Sequence, residues 1–535
     1  LSSIFTTLIY LDLCLTQNIF FPCSGIHVDS PPTTPTLTTS YAHGTTNASL
    51  VHTTVGETLL RTVERWPDRE AMAFLEGGVR KTFAAFQQDV DRAAAGLLAL
   101  GLTKGDRLGM WGPNTYEWVL FQFATAKAGI ILVSVNPAYQ LQEAEYALRK
   151  VGCKAIVCLT QFKTQKYCDM LRRLCPEIET SSPGDIRSAR LPDLRSVIVL
   201  DSRQPGMLHF DDVMQAGGSQ HVQQLQDLQK KISFDDPINI QFTSGTTGAP
   251  KGATLSHFNI VNNAYTVGKR VGYTWRIGYG TTENSPVTFC AGPMDNMDRK
   301  SETVGYIMDH MEAKIVNPTT GEVLPLGELG EIMIRGYCVM QEYWNDRAKT
   351  EECITQSGWY KTGDIGSLDA YSYLRIEGRI KDMIIRGGEN IYPAEIEQFL
   401  HTHPKVKEAQ VVGVQDSRMG EEVCACIKLA DGEECTPEEI KAYCKGQVRI
   451  PTILSLTLFL SNVLLTSSSA PFQIAHFKIP RYILFVTSYP LTITGKVRLL
   501  PSSKDKQGLF LKNTSIISSR CDKLVWFLCF SHEML

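Results

Sequence analysis

A chain of 535 residues, 43% of them apolar, is too long for one compact core and predicts at least two domains. Its 53 basic and 56 acidic residues give a net charge of −3, which argues against binding to nucleic acid through overall positive charge and favours small-molecule partners. The 15 cysteines form no Cys-x-x-Cys pair and no zinc-type spacing with histidine, so neither a disulfide framework nor a metal site of that kind is indicated.

The first 25 residues differ in composition from the rest of the chain. Asp12 is the one charged residue among them, so they lack the basic flank of a secretory signal and the Arg-rich character of a transit peptide. From Pro31 to Thr54 the chain is rich in Ser, Thr and Pro, which is typical of a flexible segment. We therefore expect residues 1–50 to be extraneous or flexible, and the folded chain to begin near residue 51.

A strand, helix, strand order follows. Apolar residues recur at helical spacing between Val55 and Leu100, and a Gly-Asp turn then precedes the apolar run Leu108–Trp111. Helical spacing returns over Trp118–Ala128 and leads into a second apolar run, Ile130–Val135. This order favours a doubly wound α/β fold around a parallel sheet, in which ligands bind at the carboxyl ends of the strands.

Two later regions have other patterns. Gly321–Tyr343 alternates apolar and polar residues over short distances, which predicts strands of a small β-barrel within the large N-terminal domain. From Lys381 onward the pattern indicates a separate, small α+β C-terminal domain. Its expected elements are a helix Pro393–His401, strands Val406–Val414 and Glu422–Leu429, and a helix Pro437–Cys444.

The strongest motif is the loop Phe242–Gly252, which follows the apolar run Ile238–Ile240. Small and hydroxyl residues let successive backbone N–H groups converge on phosphate oxygens, and Lys251 adds a mobile positive charge. The loop is not the P-loop of NTPases, because Pro250 precedes the lysine and Gly252 follows it. It predicts a phosphate-binding loop, with a Gly- and Thr-rich surface turn as the structural alternative.

This loop resembles the phosphate-binding signature of the adenylate-forming enzymes, which comprise acyl-CoA synthetases, luciferases and adenylation domains. Tyr279–Glu283 (Tyr-Gly-Thr-Thr-Glu) resembles their second signature. The resemblance implies that Tyr279 stacks on adenine, that Thr282 touches phosphate and that Glu283 holds Mg²⁺. An aromatic ring suits a purine, and a carboxylate suits a hard cation that bridges phosphates.

Further signatures follow in family order. Trp359–Asp364 resembles the third, in which Asp364 would accept hydrogen bonds from the ribose hydroxyls. In Gly378–Asp382 the resemblance implies that Arg379 contacts ribose or phosphate and that Lys381 is the interdomain hinge. The implied ATP and AMP ligands are Thr243, Ser244, Gly245, Thr246, Thr247, Gly248, Lys251, Tyr279, Thr282, Asp364 and Arg379.

Two further motifs concern the binding of CoA and the lysine that contacts the reacting groups. Arg386–Glu397 is a turn that leads into a helix, and the resemblance places Arg386, Gly387 and Gly388 beside the pantetheine of CoA, where glycine allows close approach of the backbone. Leu491–Lys496 resembles the end signature, whose lysine reaches the α-phosphate and the acyl carboxylate. The implied catalytic residues are Lys496, Lys251, Thr243 and Glu283, with Glu283 as the metal ligand.

The resemblance covers residues 28–447 and 474–496, and is strongest to mitochondrial medium-chain acyl-CoA synthetases. It implies that ATP, Mg²⁺, CoA and a fatty acid are the ligands, that no nucleic acid or integral membrane span is involved, and that the protein is mitochondrial. It also implies an AMP-binding domain at residues 51–380 and a mobile C-terminal domain at 381–496, leaving 497–535 as an extraneous tail.

The sequence departs from the family at two places. In the family, a chain segment as long as a subdomain lies between the helix that corresponds to Asn259–Arg270 and the residue that corresponds to Tyr279. In this sequence only Val271–Gly278 lie there. We therefore expect a core segment, which includes the wall of the acyl pocket, to be missing. Val448–Gln473 is an insertion within the C-terminal domain. Because residues 450–475 carry no charge, a membrane span is an alternative, but interspersed Ser and Asn argue against it. Gln447-Val448-Arg449 can be encoded as a splice donor and Phe472-Gln473 as a splice acceptor, so we interpret the insertion as a retained intron.

Three other functions remain open at this point. A carrier-protein adenylation domain would need a carrier module after Lys496, and none is visible. A luciferase-like oxygenase shares the signatures and differs in the acyl pocket. A non-catalytic product with the segment before Tyr279 missing is the third alternative.

Overall fold

The computed structural model describes residues 32–75, 77–243, 250–271, 277–387, 389–445, 478–489 and 526–527. The chain divides into two compact units. The first comprises residues 1–362, 367–375 and 524–535, and the second comprises residues 363–366 and 376–523.

The α-helices in the described residues are α1 (Val55–Arg65), α2 (Phe83–Ala99), α3 (Tyr116–Ala128), α4 (Leu141–Val151), α5 (Tyr167–Leu174), α6 (Phe210–Ala216), α7 (Ser219–Gln229), α8 (His257–Val271), α9 (Met297–Glu302), α10 (Arg347–Cys353), α11 (Pro393–His401) and α12 (Pro437–Cys444).

The first strands are β1 (Tyr41–His43), β2 (Glu70–Phe74), β3 (Val79–Thr82), β4 (Arg107–Trp111), β5 (Ile131–Val135), β6 (Cys153–Cys158), β7 (Ser196–Val199), β8 (Leu208–His209), β9 (Pro237–Thr243), β10 (Lys251–Ser256), β11 (Ile277–Tyr279) and β12 (Phe289–Cys290). The later strands are β13 (Tyr306–Ile307), β14 (Met311–Val316), β15 (Gly330–Gly336), β16 (Glu342–Tyr343), β17 (Tyr360–Leu368), β18 (Leu374–Arg379), β19 (Ile384–Arg386), β20 (Glu389–Ile391), β21 (Val406–Asp416), β22 (Gly420–Leu429), β23 (Tyr482–Phe485) and β24 (Trp526–Phe527).

The largest sheet has eight strands in the order β16-β10-β9-β5-β4-β6-β7-β8. Neighbours from β9 to β8 are parallel, and β10 and β16 extend the sheet with antiparallel pairing. Helices join most of the parallel strands, as in α/β folds. The expected α/β fold is therefore confirmed.

Helix α3 shows why this sheet holds a large core. Its residues are buried on every side apart from Glu117, which is typical of a helix enclosed within a protein core. Thr115 caps its start by accepting a hydrogen bond from the Trp118 N–H, and Gly129 ends it with a φ of +69°. The sequence predicts this helix as Trp118–Ala128, and the structure begins it two residues earlier.

A five-stranded sheet has the order β1-β14-β15-β17-β18. The predicted small β-barrel is wrong for the described residues, because β1 and β18 are the two ends of this order and closure requires the end strands to pair.

Strand β1 also corrects the expectation for residues 1–50. Tyr41 pairs with Lys314 and His43 with Glu312 in antiparallel register, so this part of the N-terminal segment is structured.

A short sheet in the first unit has the order β13-β12-β11-β24. Strand β11 ends at Tyr279, the first residue of the second signature, and pairs with β12 through Tyr279 and Phe289. Val271 ends α8, and residues 272–276, which connect it to β11, lie outside the described residues.

The second unit contains the sheet β20-β19-β22-β21, with β23 added in parallel to β22. Helices α11 and α12 have the predicted bounds, and each has proline in its first turn, where the missing N–H costs no hydrogen bond. Ile396, Leu400, Val411, Ala425 and Ile440 form part of its core. None of the helices in the described residues has the length and apolar character that a membrane crossing requires, and residues 450–475 lie outside them.

Candidate functional site

The base of the predicted phosphate loop is a hairpin of β9 and β10. Thr243 and Lys251 are register partners at the end of the hairpin that carries the loop, and the Thr243 hydroxyl lies 3.5 Å from the Lys251 carbonyl oxygen. Gly252 follows Lys251, and a side chain there would be crowded, because a Cβ would lie 2.8 Å from Ile240 Cγ2. The structure thus brings Thr243 and Lys251 together. Five predicted nucleotide ligands in the loop between them lie outside the described residues: Ser244, Gly245, Thr246, Thr247 and Gly248.

The second signature forms a compact buried turn. Tyr279 is 5% exposed and its ring centroid lies 6.4 Å from that of Phe289. Gly280 cannot be replaced without a backbone shift, because a Cβ would lie 1.4 Å from the Pro286 carbonyl oxygen. Thr282 begins a single 3₁₀ turn, Thr282–Asn284, which places the Glu283 side chain in the protein interior.

Glu283 contacts a residue that the sequence did not single out. Glu283 is 8% exposed and Tyr343 is 3% exposed. The Oε1 atom of Glu283 accepts a hydrogen bond of 2.8 Å from the Tyr343 hydroxyl. The Lys251 ammonium lies over the Tyr343 ring, 4.6 Å from its centroid. Tyr343 therefore connects the lysine of the first signature to the carboxylate of the second. No sequence motif signals this contact, because 60 positions separate the two hydrogen-bonded residues.

Burial and the charge of Glu283 raise the pKa of Tyr343 well above its ordinary value. A hydrogen bond with Tyr360 acts in the opposite direction and is outweighed. Tyr343 is therefore protonated at any physiological pH and acts as a fixed hydrogen-bond donor to the carboxylate.

The residues around Glu283 fit a cation that arrives with a nucleotide. In the described part of the chain, no group of three or more His, Cys, Asp or Glu side chains is arranged to hold a metal by itself. Mg²⁺ commonly takes one or two protein carboxylates and completes its shell with substrate phosphates and water. The Thr281 hydroxyl, two residues from Glu283, is buried without a hydrogen-bond partner in the described structure, so it is a polar atom that a ligand could satisfy.

In the second unit, the structure brings Asp364 and Arg379 together across 15 positions of sequence. Arg379 Nε donates to Asp364 Oδ1 over 2.9 Å, and Asp364 is buried. Gly363 has a φ of +69°, a conformation that favours glycine. Lys381 lies in the 3₁₀ turn Ile380–Asp382 with an exposed side chain.

The predicted CoA-binding turn lies in the same unit, between β19 and β20. Gly387 has a φ of +60°, and its N–H donates to the Met419 carbonyl oxygen over 2.8 Å. Arg386 forms an ion pair with the buried Glu422, which sequence reasoning did not select. Gly388 and Lys496 lie outside the described residues.

Comparisons with known proteins match much of the chain. The AMP-binding enzyme family matches residues 59–277 and 269–344, and the AMP-binding enzyme C-terminal domain matches residues 395–496. The chain is similar to the mitochondrial medium-chain acyl-CoA ligase ACSF2 of Danio rerio, with 56% identity over 581 aligned positions that cover 89% of this chain and 92% of the relative. The human protein of the same name is 45% identical over 585 positions, covering 89% and 91%.

Solved structures show the same fold. The ATP-bound MatB of Rhodopseudomonas palustris superimposes with a TM-score of 0.65 at 21% identity, covering 83% of this chain and 97% of that one. The anthranilate CoA ligase AuaEII in complex with anthranoyl-AMP gives a TM-score of 0.64 at 19% identity, covering 84% and 96%.

Proposed function

Because this chain belongs to the AMP-binding enzyme family, with both its main and its C-terminal domain matched, we propose that it is an acyl-CoA synthetase. It activates a medium-chain fatty acid with ATP and transfers the acyl group to CoA. The observation that carries this proposal is the placement of Thr243, Lys251 and Glu283, which bring a hydroxyl, an ammonium and a buried carboxylate to one phosphate loop. The relatives named as medium-chain acyl-CoA ligases support the substrate class.

In the first half-reaction, a carboxylate oxygen of the fatty acid attacks the α-phosphorus of ATP, the bond to the leaving oxygen breaks, and pyrophosphate departs. Lys251 and the Thr243 hydroxyl offset phosphate charge as it redistributes. Lys496 is assigned to bridge the α-phosphate and the acyl carboxylate. Glu283 would hold Mg²⁺, which supplies charge neutralisation at the phosphates when bound.

In the second half-reaction, the CoA sulfur attacks the acyl carbonyl carbon, and the bond to the adenylate oxygen breaks with AMP as leaving group. Tyr279 is assigned to adenine, Thr282 to phosphate and Asp364 to the ribose. Arg379 is assigned to ribose or phosphate. The turn at Gly387 and Gly388, together with Arg386, is assigned to pantetheine. The role of Lys381 as a hinge remains a prediction.

We also propose that a core segment is absent before Tyr279. Two findings support this: the two matches to the AMP-binding family meet and overlap at residues 269–277, and the alignment to the Danio rerio relative has 581 positions although the chain has 535 residues. The absent segment would include the wall of the acyl pocket. The same observation favours a second candidate function, a nucleotide-binding protein without ligase activity.

The domain layout rests on the same reasoning. We assign residues 51–380 to the AMP-binding domain and residues 381–496 to the C-terminal domain, with 448–473 as an insertion in the latter. We place the protein in the mitochondrion, because the relatives carry that location in their names.

The test is an assay of ATP/pyrophosphate exchange and acyl-CoA formation with fatty acids of increasing chain length. It is run on the chain and on a version with the absent segment restored from the Danio rerio relative. We expect medium-chain-dependent exchange in the restored version, and a loss of about a hundredfold or more with Glu283→Gln. The exposed Glu322→Gln is the control. A restored version that folds but shows no exchange with any fatty acid would contradict the proposal.

A further inference from the structure

Tyr343 occupies a fixed position between two opposite charges. It lies on β16, where it pairs with Ala253 of β10, and its N–H donates to the Thr350 hydroxyl over 2.9 Å. Its hydroxyl donates to Glu283 Oε1 over 2.8 Å, while the Lys251 ammonium lies 4.6 Å from its ring centroid. One buried side chain therefore contacts both the phosphate-loop lysine and the proposed metal ligand.

Opposite charges in a buried site attract strongly when no group holds them apart. The attraction between two unit charges a few ångströms apart grows as the surrounding dielectric falls. A direct Lys251–Glu283 ion pair would occupy both the charge that must meet phosphate and the oxygens that must meet a cation. In the described structure, the lysine instead lies against the ring face and the carboxylate against the hydroxyl.

We infer that Tyr343 is a positioning residue for the adenylation half-reaction, and this inference rests on the proposed function. Its hydroxyl orients Glu283 so that the carboxylate can receive a cation. Its ring holds the Lys251 ammonium by a cation–π contact until phosphate binds the ammonium. The two roles reside in different parts of one side chain, so substitutions can separate them.

The test measures ATP binding to the full-length chain by isothermal titration calorimetry over a series of Mg²⁺ concentrations. Tyr343→Phe removes the hydroxyl and keeps the ring, so we expect the Mg²⁺ concentration for half-maximal binding to rise about tenfold, with ATP affinity at saturating Mg²⁺ nearly unchanged. Tyr343→Leu removes both groups and should weaken both. Tyr337→Phe is the matched control, because it deletes another buried tyrosine hydroxyl in the same unit, one that bonds Thr266 at 2.6 Å.

A double variant shows whether Tyr343 acts through Glu283. In a Glu283→Gln background, the Tyr343→Phe change should give little additional shift in Mg²⁺ dependence, since the oriented carboxylate is already gone. If Tyr343→Leu does not fold, Tyr343→Phe and the double variant carry the test.

Three outcomes would overturn the inference: an unchanged Mg²⁺ dependence in Tyr343→Phe, an equal shift in Tyr337→Phe, or an undiminished shift in the Glu283→Gln background. A failure of the unchanged chain to bind ATP at any Mg²⁺ concentration would overturn the inference for this chain, whereas the proposed function is contradicted only if the restored version also shows no exchange.

Discussion

The carboxylate of Glu422 accepts two hydrogen bonds from the guanidinium of Arg386, with Nε to Oε2 at 2.6 Å and Nη2 to Oε1 at 3.1 Å. A third comes from Arg481 Nη1 at 3.0 Å. Burial by itself would raise the pKa of the Glu422 carboxyl, but the hydrogen bonds from the two arginines outweigh it and lower the pKa. Glu422 is therefore ionised and ties β19, which leads into the Gly387 turn, to β22.

Glu422→Gln should impair the second half-reaction. The neutral amide leaves the partly buried Arg386 without its charged partner at the buried position 422. In the version with the absent segment restored, we expect conversion of added acyl-adenylate and CoA to thioester to fall about tenfold or more, with ATP/pyrophosphate exchange retained. Glu408→Gln, which breaks a more exposed pair with Lys428, should leave both steps intact. Equal loss of both half-reactions in Glu422→Gln would contradict the assignment of this turn to CoA.

Lys496→Ala should show the opposite separation. The family resemblance assigns its ammonium to the α-phosphate and the acyl carboxylate, so its loss should abolish formation of the acyl-adenylate. Added acyl-adenylate should still be converted to acyl-CoA. Gly388→Leu should block the second step while sparing the first, because a side chain would fill the space of the pantetheine. The two steps are measured separately in the restored version, and the prediction fails if either variant loses both equally.

The stability of the first unit should depend on the protonation of His257. This side chain is fully buried at the start of α8, and its Nδ1 accepts the Val55 N–H at 3.0 Å. Burial lowers the pKa of His257 from 6.5 to about 3. Below pH 6.5 the unfolded chain therefore binds a proton that the folded chain does not, and stability falls as the pH drops toward 3.

This loss can be measured by urea unfolding of the unchanged chain and of His257→Asn. Between about pH 7.5 and about pH 5.5, linkage predicts a loss of about 1.4 kcal/mol in the unchanged chain beyond any loss in the variant. The comparison cancels the contributions of other titrating groups. A parallel pH dependence in the two proteins would show that His257 is not buried in its neutral form.

The absent segment should decide whether the chain is an active ligase. Interior strands of a parallel sheet satisfy the backbone groups of their neighbours, and each buried unsatisfied group costs about 1 to 3 kcal/mol. We expect the chain to release no AMP in response to fatty acid. A version with the segment between Val271 and Gly278 restored and Val448–Gln473 deleted should be active, whereas the deletion alone should not. Acyl-CoA formation by the unchanged chain would refute this prediction.

Local patterns predicted much of this protein. The α/β alternation, the bounds of α11 and α12 and the family signatures all arise from residues close together in the chain, where periodicity, proline and glycine act directly. Such features depend on intrinsic backbone preferences, so the sequence by itself determined them.

Long-range contacts were decided by the tertiary structure. Tyr343 meets Glu283 across 60 positions, Arg386 meets Glu422 across 36, and Tyr41 reaches Glu312 across 271. The order β1-β14-β15-β17-β18 is a result of the same kind: among the described residues its two end strands are not neighbours, whereas the alternating pattern predicted a barrel. Alternation specifies which face of a strand is buried but not which strand lies beside it. That choice depends on how whole elements pack, because the free energy of burial depends on the combined surfaces that packing removes from water.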